Sequence, residues 1–364
     1  MNEKILNIAH RFAIPEGETT AAPYGNGHIN DTFCVTVKTG EGAKRFIVQK
    51  VNRYVFKHPE EVITNIEQVT AYLSDVIAKE GGDPARGTLT LVQAKDGTHF
   101  TYDDEGELWR VYLFIEDTTS CDLPDTTALF ELSGAAFGKF QRQMGGFPAD
   151  KLVESIPDFH NTPARYQQLM DAVKNNAAGR LGEVEAELAF CTAREKDTHV
   201  LLDALAAGEI PLRVTHNDTK LNNVLLDAKT GEGVCVIDLD TVMPGLAAYD
   251  YGDSIRFGAN TAAEDERDLS KVQLSLPMFE AFTRGFLSEA GGVMSKKEKM
   301  LLPMGAKLMT LECGMRFLAD HLNGDVYFKV HRPGHNLDRA RTQFELVRHM
   351  EENWDKMLEI VANA

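Results

Sequence analysis

A hairpin-like block set among long helical stretches constrains this chain most. Between Arg213 and Val242, two short apolar runs, Asn223 to Leu226 and Val234 to Ile237, flank a glycine-containing turn at Thr230 to Gly233. Polar residues crowd both of its ends. His216-Asn217-Asp218 precedes the first run, Asn223 opens it, and Asp238-Leu239-Asp240 closes the second. Period-two alternation predicts that Asp238 and Asp240 project from one face of the strand while Ile237 and Leu239 point the other way. The surrounding sequence has amphipathic helical character, over 128–144, 166–175, 183–207, 271–290, 296–322 and 337–360.

The first third reads differently. Strands are expected over 29–37, 45–51, 87–94 and 108–115, with a short one at 99–102, a helix over 59–78, and a hairpin signal at Asn26-Gly27. A chain of 364 residues is more naturally two lobes than one unit. The change of character places their boundary near residue 117, giving an N-lobe over 1–116 and a C-lobe over 117–364. The expected class is α+β and bilobal, with an antiparallel sheet plus a helix in the first lobe and a larger, mainly helical second lobe.

A net charge of −17 argues against nucleic acid or anionic lipid as partners. Five cysteines scattered singly point to reduced thiols rather than a disulfide framework or a zinc site. The first residues lack the apolar core of a signal peptide, and no apolar run is long enough to span a bilayer, so a cytoplasmic monomer is expected.

His-x-Asp followed five residues later by Asn has the spacing of a kinase catalytic loop. Transfer of a γ-phosphoryl group needs a carboxylate to orient the attacking hydroxyl and receive its proton, and an amide oxygen to ligate Mg²⁺; Asp218 and Asn223 supply these types. His216 reads as structural. The paired carboxylates Asp238 and Asp240 repel unless a divalent cation neutralises them, which makes both candidate metal ligands. Asp250 is placed to brace the loop, and Arg256 to pair with a nearby carboxylate.

In the first lobe, Gly25-Asn26-Gly27 would let backbone amides approach phosphates, a plain hairpin being the equal alternative. The third strand reads Phe46-Ile47-Val48-Gln49, with Lys50 one place beyond the usual lysine position. Either Gln49 contacts the nucleotide or a bulge brings Lys50 round, and Glu67 is left without an assured lysine partner. Adenine is expected on the hinge backbone at 114–117, with Glu116 among the nucleotide contacts.

With these features together, the chain resembles the aminoglycoside phosphotransferase superfamily of protein-kinase-like enzymes over essentially its whole length. The stretches that carry the match are Pro23-Tyr24-Gly25-x-Gly27-His28-Ile29-Asn30, Leu212 to Asn223, Ile237 to Thr241 and Glu312 to Asp320. They are most similar to the branch that phosphorylates N-acetylhexosamines. The resemblance implies ATP as co-substrate, Mg²⁺ as cofactor, and transfer to the anomeric hydroxyl of N-acetylglucosamine or N-acetylgalactosamine. By position it makes Asp218 the catalytic base, Asn223 and Asp238 metal ligands, and His28, Arg316 and Tyr327 sugar contacts. Arg316 sits among Leu308, Met309, Leu311, Phe317 and Leu318, where a cation needs a pocket or a partner, Asp320 being the nearest in sequence. Two alternatives stand beside this reading: a kinase of another small alcohol of the choline, homoserine or aminoglycoside type, and a nucleotide-binding pseudokinase.

Overall fold

The computed structural model describes residues 2–25 and 29–364, so Asn26, Gly27 and His28 lie outside the described residues. It divides into two compact units. One comprises residues 1–119 with two later segments, 150–156 and 225–243; the other comprises 120–149, 157–224 and 244–364.

The first unit is built on five antiparallel strands. They are β1 (Glu18–Pro23), β2 (Asp31–Thr39), β3 (Gly42–Lys50), β4 (Thr101–Tyr102) and β5 (Leu108–Leu113), in the order β1-β2-β3-β5-β4. Alternation along the strands places Val35, Val37, Phe46, Val48, Trp109 and Val111 on one face. There they pack with Ile5, Ile8 and Ala9 of the helix α1 (Asn2–Ala9), which the sequence reading did not anticipate. The opposite face carries Gln49, Arg110 and Tyr112. The helix α2 (Pro59–Lys79) begins with Pro59 in its first turn and buries Val62, Ile63, Ile66, Val69, Leu73 and Ile77.

The strand expected over 87–94 is reduced to two isolated bridges, Leu91 to Tyr112 and Ala94 to Phe12, with the Val92 amide donating to the Val111 carbonyl and the Leu113 amide to the Thr90 carbonyl. A short helical turn at Pro84–Gly87 occupies its expected start.

The second unit is helical. Its core gathers Leu308, Leu311, Met315 and Leu318 of the helix Leu302–Asn323 with Leu337, Phe344 and Val347 of the helix His335–Glu352. The helix Ala247–Gly258 lies so close to Leu302–Asn323 that a side chain at Gly252 would collide with the Gly305 carbonyl, and one at Gly305 with the Ala248 carbonyl. Three expected long helices are interrupted. The stretch 183–207 holds Glu185–Thr192 and Val200–Ala206, 296–322 breaks at Leu301 before Pro303, and 337–360 breaks at Asn353. All five cysteines are free, and no helix among the described residues is long and apolar enough to cross a membrane.

Candidate active site

The catalytic-loop sequence lies in the second unit, between the short strand Arg213–Thr215 and the 3₁₀ turn Leu221–Asn223. Asn217 adopts a left-handed backbone, φ 65°, a conformation that Asn tolerates better than most residues. A buried network compels that conformation. The Asp250 carboxylate accepts the backbone amides of His216 (3.0 Å) and Asn217 (2.8 Å), and the Gln141 side-chain amide (2.8 Å). Thr219 donates its hydroxyl to the Asp250 carbonyl at 2.6 Å, and Ser254 donates to the Thr219 carbonyl at 2.7 Å. The loop is therefore fastened to the helix Ala247–Gly258 along its length. Burial pushes the Asp250 carboxyl up, against the opposing pull of His216 and the amide donors. His216 is fully buried with its ring edge-on to Phe137 and Phe140, and its Nδ1 accepts the Asp218 amide at 3.2 Å, a structural role.

Asp218 itself is partly exposed, which suits a group that meets a substrate. Its Oδ1 pairs with Lys220 Nζ at 2.7 Å, and Asn223 Nδ2 donates to its Oδ2 (3.2 Å) and carbonyl (2.8 Å). That assigns the nitrogen of the Asn223 amide and leaves its carbonyl oxygen as the atom to offer a cation. Burial alone would depress the Lys220 ammonium, but Asp218 and Asp253 outweigh it and hold it above its ordinary value. Burial likewise pushes Asp253 up, yet Arg256 and Lys220 bring it below the usual carboxylate range. Arg256 binds Asp253 at 2.8 and 3.1 Å.

Also in the second unit, Arg316 lies with its guanidinium carbon 5.9 Å from the Phe159 ring and 5.5 Å from that of Phe328. It makes no ion pair among the described residues. The expected alternative partner, Asp320, is committed elsewhere: it accepts the backbone amides of Val326, Tyr327 and Phe328 at 2.8 to 3.0 Å, and the Asn336 side chain at 2.8 Å. Those bonds hold a loop on which Tyr327 is 59% exposed. Arg165, bound to the Phe159 carbonyl, stands near enough for Arg316, after burial itself, to hold its guanidinium below the ordinary value. Glu312 is taken up by His160 (2.9 Å) and Thr162 (2.9 Å). Arg165, Phe159 and Phe328 were not singled out from sequence, since they are far from Arg316 along the chain.

In the first unit, the strand Gly233–Val236 ends before Asp238. Asp238 is exposed and left-handed, φ 60°, and Leu239–Thr241 forms a 3₁₀ turn, so strand alternation does not extend through the pair. Asp240 is buried. Its Oδ1 meets Arg110 at 2.5 Å and its Oδ2 accepts Asn30 Nδ2 at 2.6 Å. The turn is held further by Asn65 of α2, which donates to the Val242 carbonyl at 3.0 Å. Among the described residues no group of three or more His, Cys, Asp or Glu could hold a metal unaided. Mg²⁺ bound by one or two protein oxygens plus phosphate and water needs no such cage; Asn223 in the second unit and Asp238 in the first are each an oxygen donor of the type it takes.

The β2–β3 register is regular from Asp31↔Lys50 to Thr39↔Gly42, so no bulge turns Lys50 round. Lys50 pairs with Asp31 at 2.7 Å, and Glu67 with His99 at 2.8 Å. Gln49 accepts from Arg110 at 2.9 and 3.1 Å and donates to Thr32 at 3.0 Å. Burial would depress the Arg110 guanidinium, and Asp240, with Tyr112 and Asp238, more than offsets this and raises it. At the hinge, the Glu116 side chain pairs with Arg45, whose guanidinium stacks 3.8 Å over the Phe114 ring, and the Glu116 carbonyl accepts Arg86 at 2.8 Å. Gly25 has φ +76°, a conformation that favours glycine, with open space where a side chain would stand.

An antiparallel amino-terminal sheet, a helical carboxy-terminal part and an Asp–Asn loop of this kind define a kinase-like phosphotransferase fold. Residues 20–274 match the phosphotransferase enzyme family known as APH, and the chain belongs to it. Among solved structures it is similar to a microcompartment-associated aminopropanol kinase, at 15% identity and a TM-score of 0.60, covering 96% of this chain and 97% of that one. It is also similar to a choline kinase from Cryptosporidium parvum Iowa II (14%, TM-score 0.56, 99% and 98% covered). A third likeness is to a spectinomycin phosphotransferase in complex with ADP and spectinomycin (13%, TM-score 0.53, 99% and 97% covered). At these identities the likeness is one of fold.

Proposed function

We propose that this phosphotransferase is an N-acetylhexosamine 1-kinase, which uses ATP to phosphorylate the anomeric hydroxyl of N-acetylglucosamine or N-acetylgalactosamine and releases ADP. The observation that carries the chemistry is Asp218, a partly exposed carboxylate on a loop that buried hydrogen bonds fasten at His216, Asn217 and Thr219. It accepts the proton of the sugar hydroxyl as the bond to phosphorus forms; an anomeric hydroxyl, more acidic than an ordinary alcohol, asks little of that base. Lys220, beside it, supplies positive charge where the phosphoryl group loads negative charge. Mg²⁺, held through Asn223 and Asp238, would neutralise the phosphates. In this reading Gly25, Asn26, Gly27 and the hinge around Glu116 serve the nucleotide, while His28, Arg316 and Tyr327 contact the sugar.

The substrate class rests on the surroundings of Arg316. A guanidinium between two aromatic rings, with Arg165 near and an exposed Tyr327, offers hydrogen-bond donors and apolar walls to a neutral sugar. A quaternary ammonium or polyamine acceptor would meet like charge there, which weighs against the choline and aminoglycoside alternatives. Retention of Asp218, Asn223 and Asp238 weighs against a pseudokinase. ADP release measured across N-acetylglucosamine, N-acetylgalactosamine, glucose, choline, ethanolamine and kanamycin tests the choice. The two N-acetylhexosamines should give the highest kcat/KM; a preference for any cationic acceptor contradicts the reading.

A further inference from the structure

Kinases of this fold ordinarily place a lysine on the third strand and pair it with a helix carboxylate. Here that arrangement is dissolved: Lys50 faces Asp31, Glu67 faces His99, and the lysine position is the neutral Gln49. Directly across the ladder from Gln49, on β5, stands Arg110, 1% exposed. Its guanidinium spans the Gln49 amide oxygen and the Asp240 carboxylate, and its remaining terminal nitrogen is buried with no hydrogen-bond partner among the described residues. The Tyr112 hydroxyl, whose ring the same guanidinium approaches at 5.2 Å, is also buried without one. A cation is held in a buried place, and what it holds is the turn that carries Asp238.

We propose that Arg110 is a positioning residue, acting from β5 on the turn that carries Asp238. It neutralises Asp240, and through Asp240 and Asn30 it fixes the left-handed turn that presents Asp238 to the metal. Asp240 is then a strut, and Asp238 is the one carboxylate this turn gives to the cation. Gln49 serves as the neutral cradle that orients the guanidinium, since a lysine there would set two cations side by side. The inference rests on the magnesium–nucleotide reading above but is independent of the acceptor sugar.

The test measures Mn²⁺ binding by electron paramagnetic resonance in the presence of ADP, together with thermal melting, for wild type, Arg110→Gln, Arg110→Lys and the double variant Arg110→Met/Asp240→Asn. Arg110→Gln should weaken Mn²⁺·ADP binding about tenfold or more, and Arg110→Lys should recover part of it. The double variant, which leaves no lone buried charge, should melt higher than Arg110→Gln and serves as the folded control if that variant collapses. Unchanged Mn²⁺·ADP binding in Arg110→Gln, or in the double variant, overturns the proposal. So does loss of ADP affinity in Arg110→Gln with the metal constant unmoved, which would make Arg110 a direct phosphate contact. Failure of the wild type to bind Mn²⁺·ADP would instead overturn the nucleotide reading.

Discussion

Two loops of the second unit do different work and are built differently. The catalytic loop, from Thr215 to Asn223, has backbone amides bound by the Asp250 and Asp253 carboxylates and the Thr219 carbonyl bound by Ser254, with Gln141 bracing Asp250 and Asp218 as its accessible carboxylate. The loop bearing Tyr327 is held through Asp320, which takes the amides of Val326, Tyr327 and Phe328, and through Asp325, bound by Arg180 and Asn336, yet it leaves Val326 73% and Tyr327 59% exposed. Phosphoryl transfer requires the base to be placed within a fraction of an ångström, so its support is buried and redundant. Acceptor choice, in the proposed reading, requires a surface that can be varied without unfolding the domain, and here the side chains stand out from the loop.

The contrast is broken most severely at Asp218. Asp218→Asn should lower kcat by roughly 10²- to 10⁴-fold, the range of a general base, with melting temperature and sugar affinity nearly unchanged. Turnover within threefold of wild type would remove Asp218 from the reaction. Next comes the support. Asp250→Asn turns an amide nitrogen toward one of three donors in a buried site, at a cost of about 1–3 kcal/mol in stability. The displaced loop should cost kcat roughly 10- to 100-fold, so both melting and turnover move, unlike the Asp218 variant.

The acceptor loop should respond in the opposite sense. Arg316→Ala and Tyr327→Phe are expected to raise the sugar KM by about tenfold, as loss of one or two hydrogen bonds does, with kcat and melting little altered. A fall in kcat at constant KM would show that these residues act in the transition state instead.

The smallest expected effect is on pH. Buried His321, at the base of the acceptor loop, binds Arg180, which also holds Asp325 at 2.5 Å. Burial first, then Arg180, hold its imidazolium below the ordinary histidine value of 6.5. The folded loop therefore favours neutral His321. No penalty exists above pH 6.5, and one grows as the pH falls below it until the folded value is passed. The sugar KM should rise between pH 6.5 and pH 5, and His321→Gln should flatten that rise.

The catalytic loop was legible in the sequence because its chemistry is local: His216, Asp218 and Asn223 fall within eight residues, and their spacing survives folding intact. The helix Ala247–Gly258, which holds that loop, was not read as a helix. Nearly all of its residues are buried, and its polar stripe, Asp250, Asp253 and Ser254, turns to the catalytic loop and not to solvent, so it lacks the solvent face that marks an ordinary amphipathic helix. The Asp238–Asp240 pair was misplaced on a strand because alternation in sequence cannot announce a left-handed residue at the strand's end. Arg110 was visible as a charge inside Leu108-Trp109-Arg110-Val111-Tyr112-Leu113, but its partner Asp240 lies 130 residues away and only the fold brings the two together. The surroundings of Arg316 are of the same kind, assembled from Phe159, Arg165 and Phe328.

The central claim is that phosphate goes to the anomeric oxygen of an N-acetylhexosamine. Incubation with ATP, Mg²⁺ and either N-acetylglucosamine or N-acetylgalactosamine, followed by phosphorus–proton coupling in NMR, locates the new bond directly. The account predicts a phosphorus resonance coupled to the anomeric proton, absent with Asp218→Asn; coupling to the carbon 6 protons, or no product from either sugar while another alcohol is consumed, would contradict it.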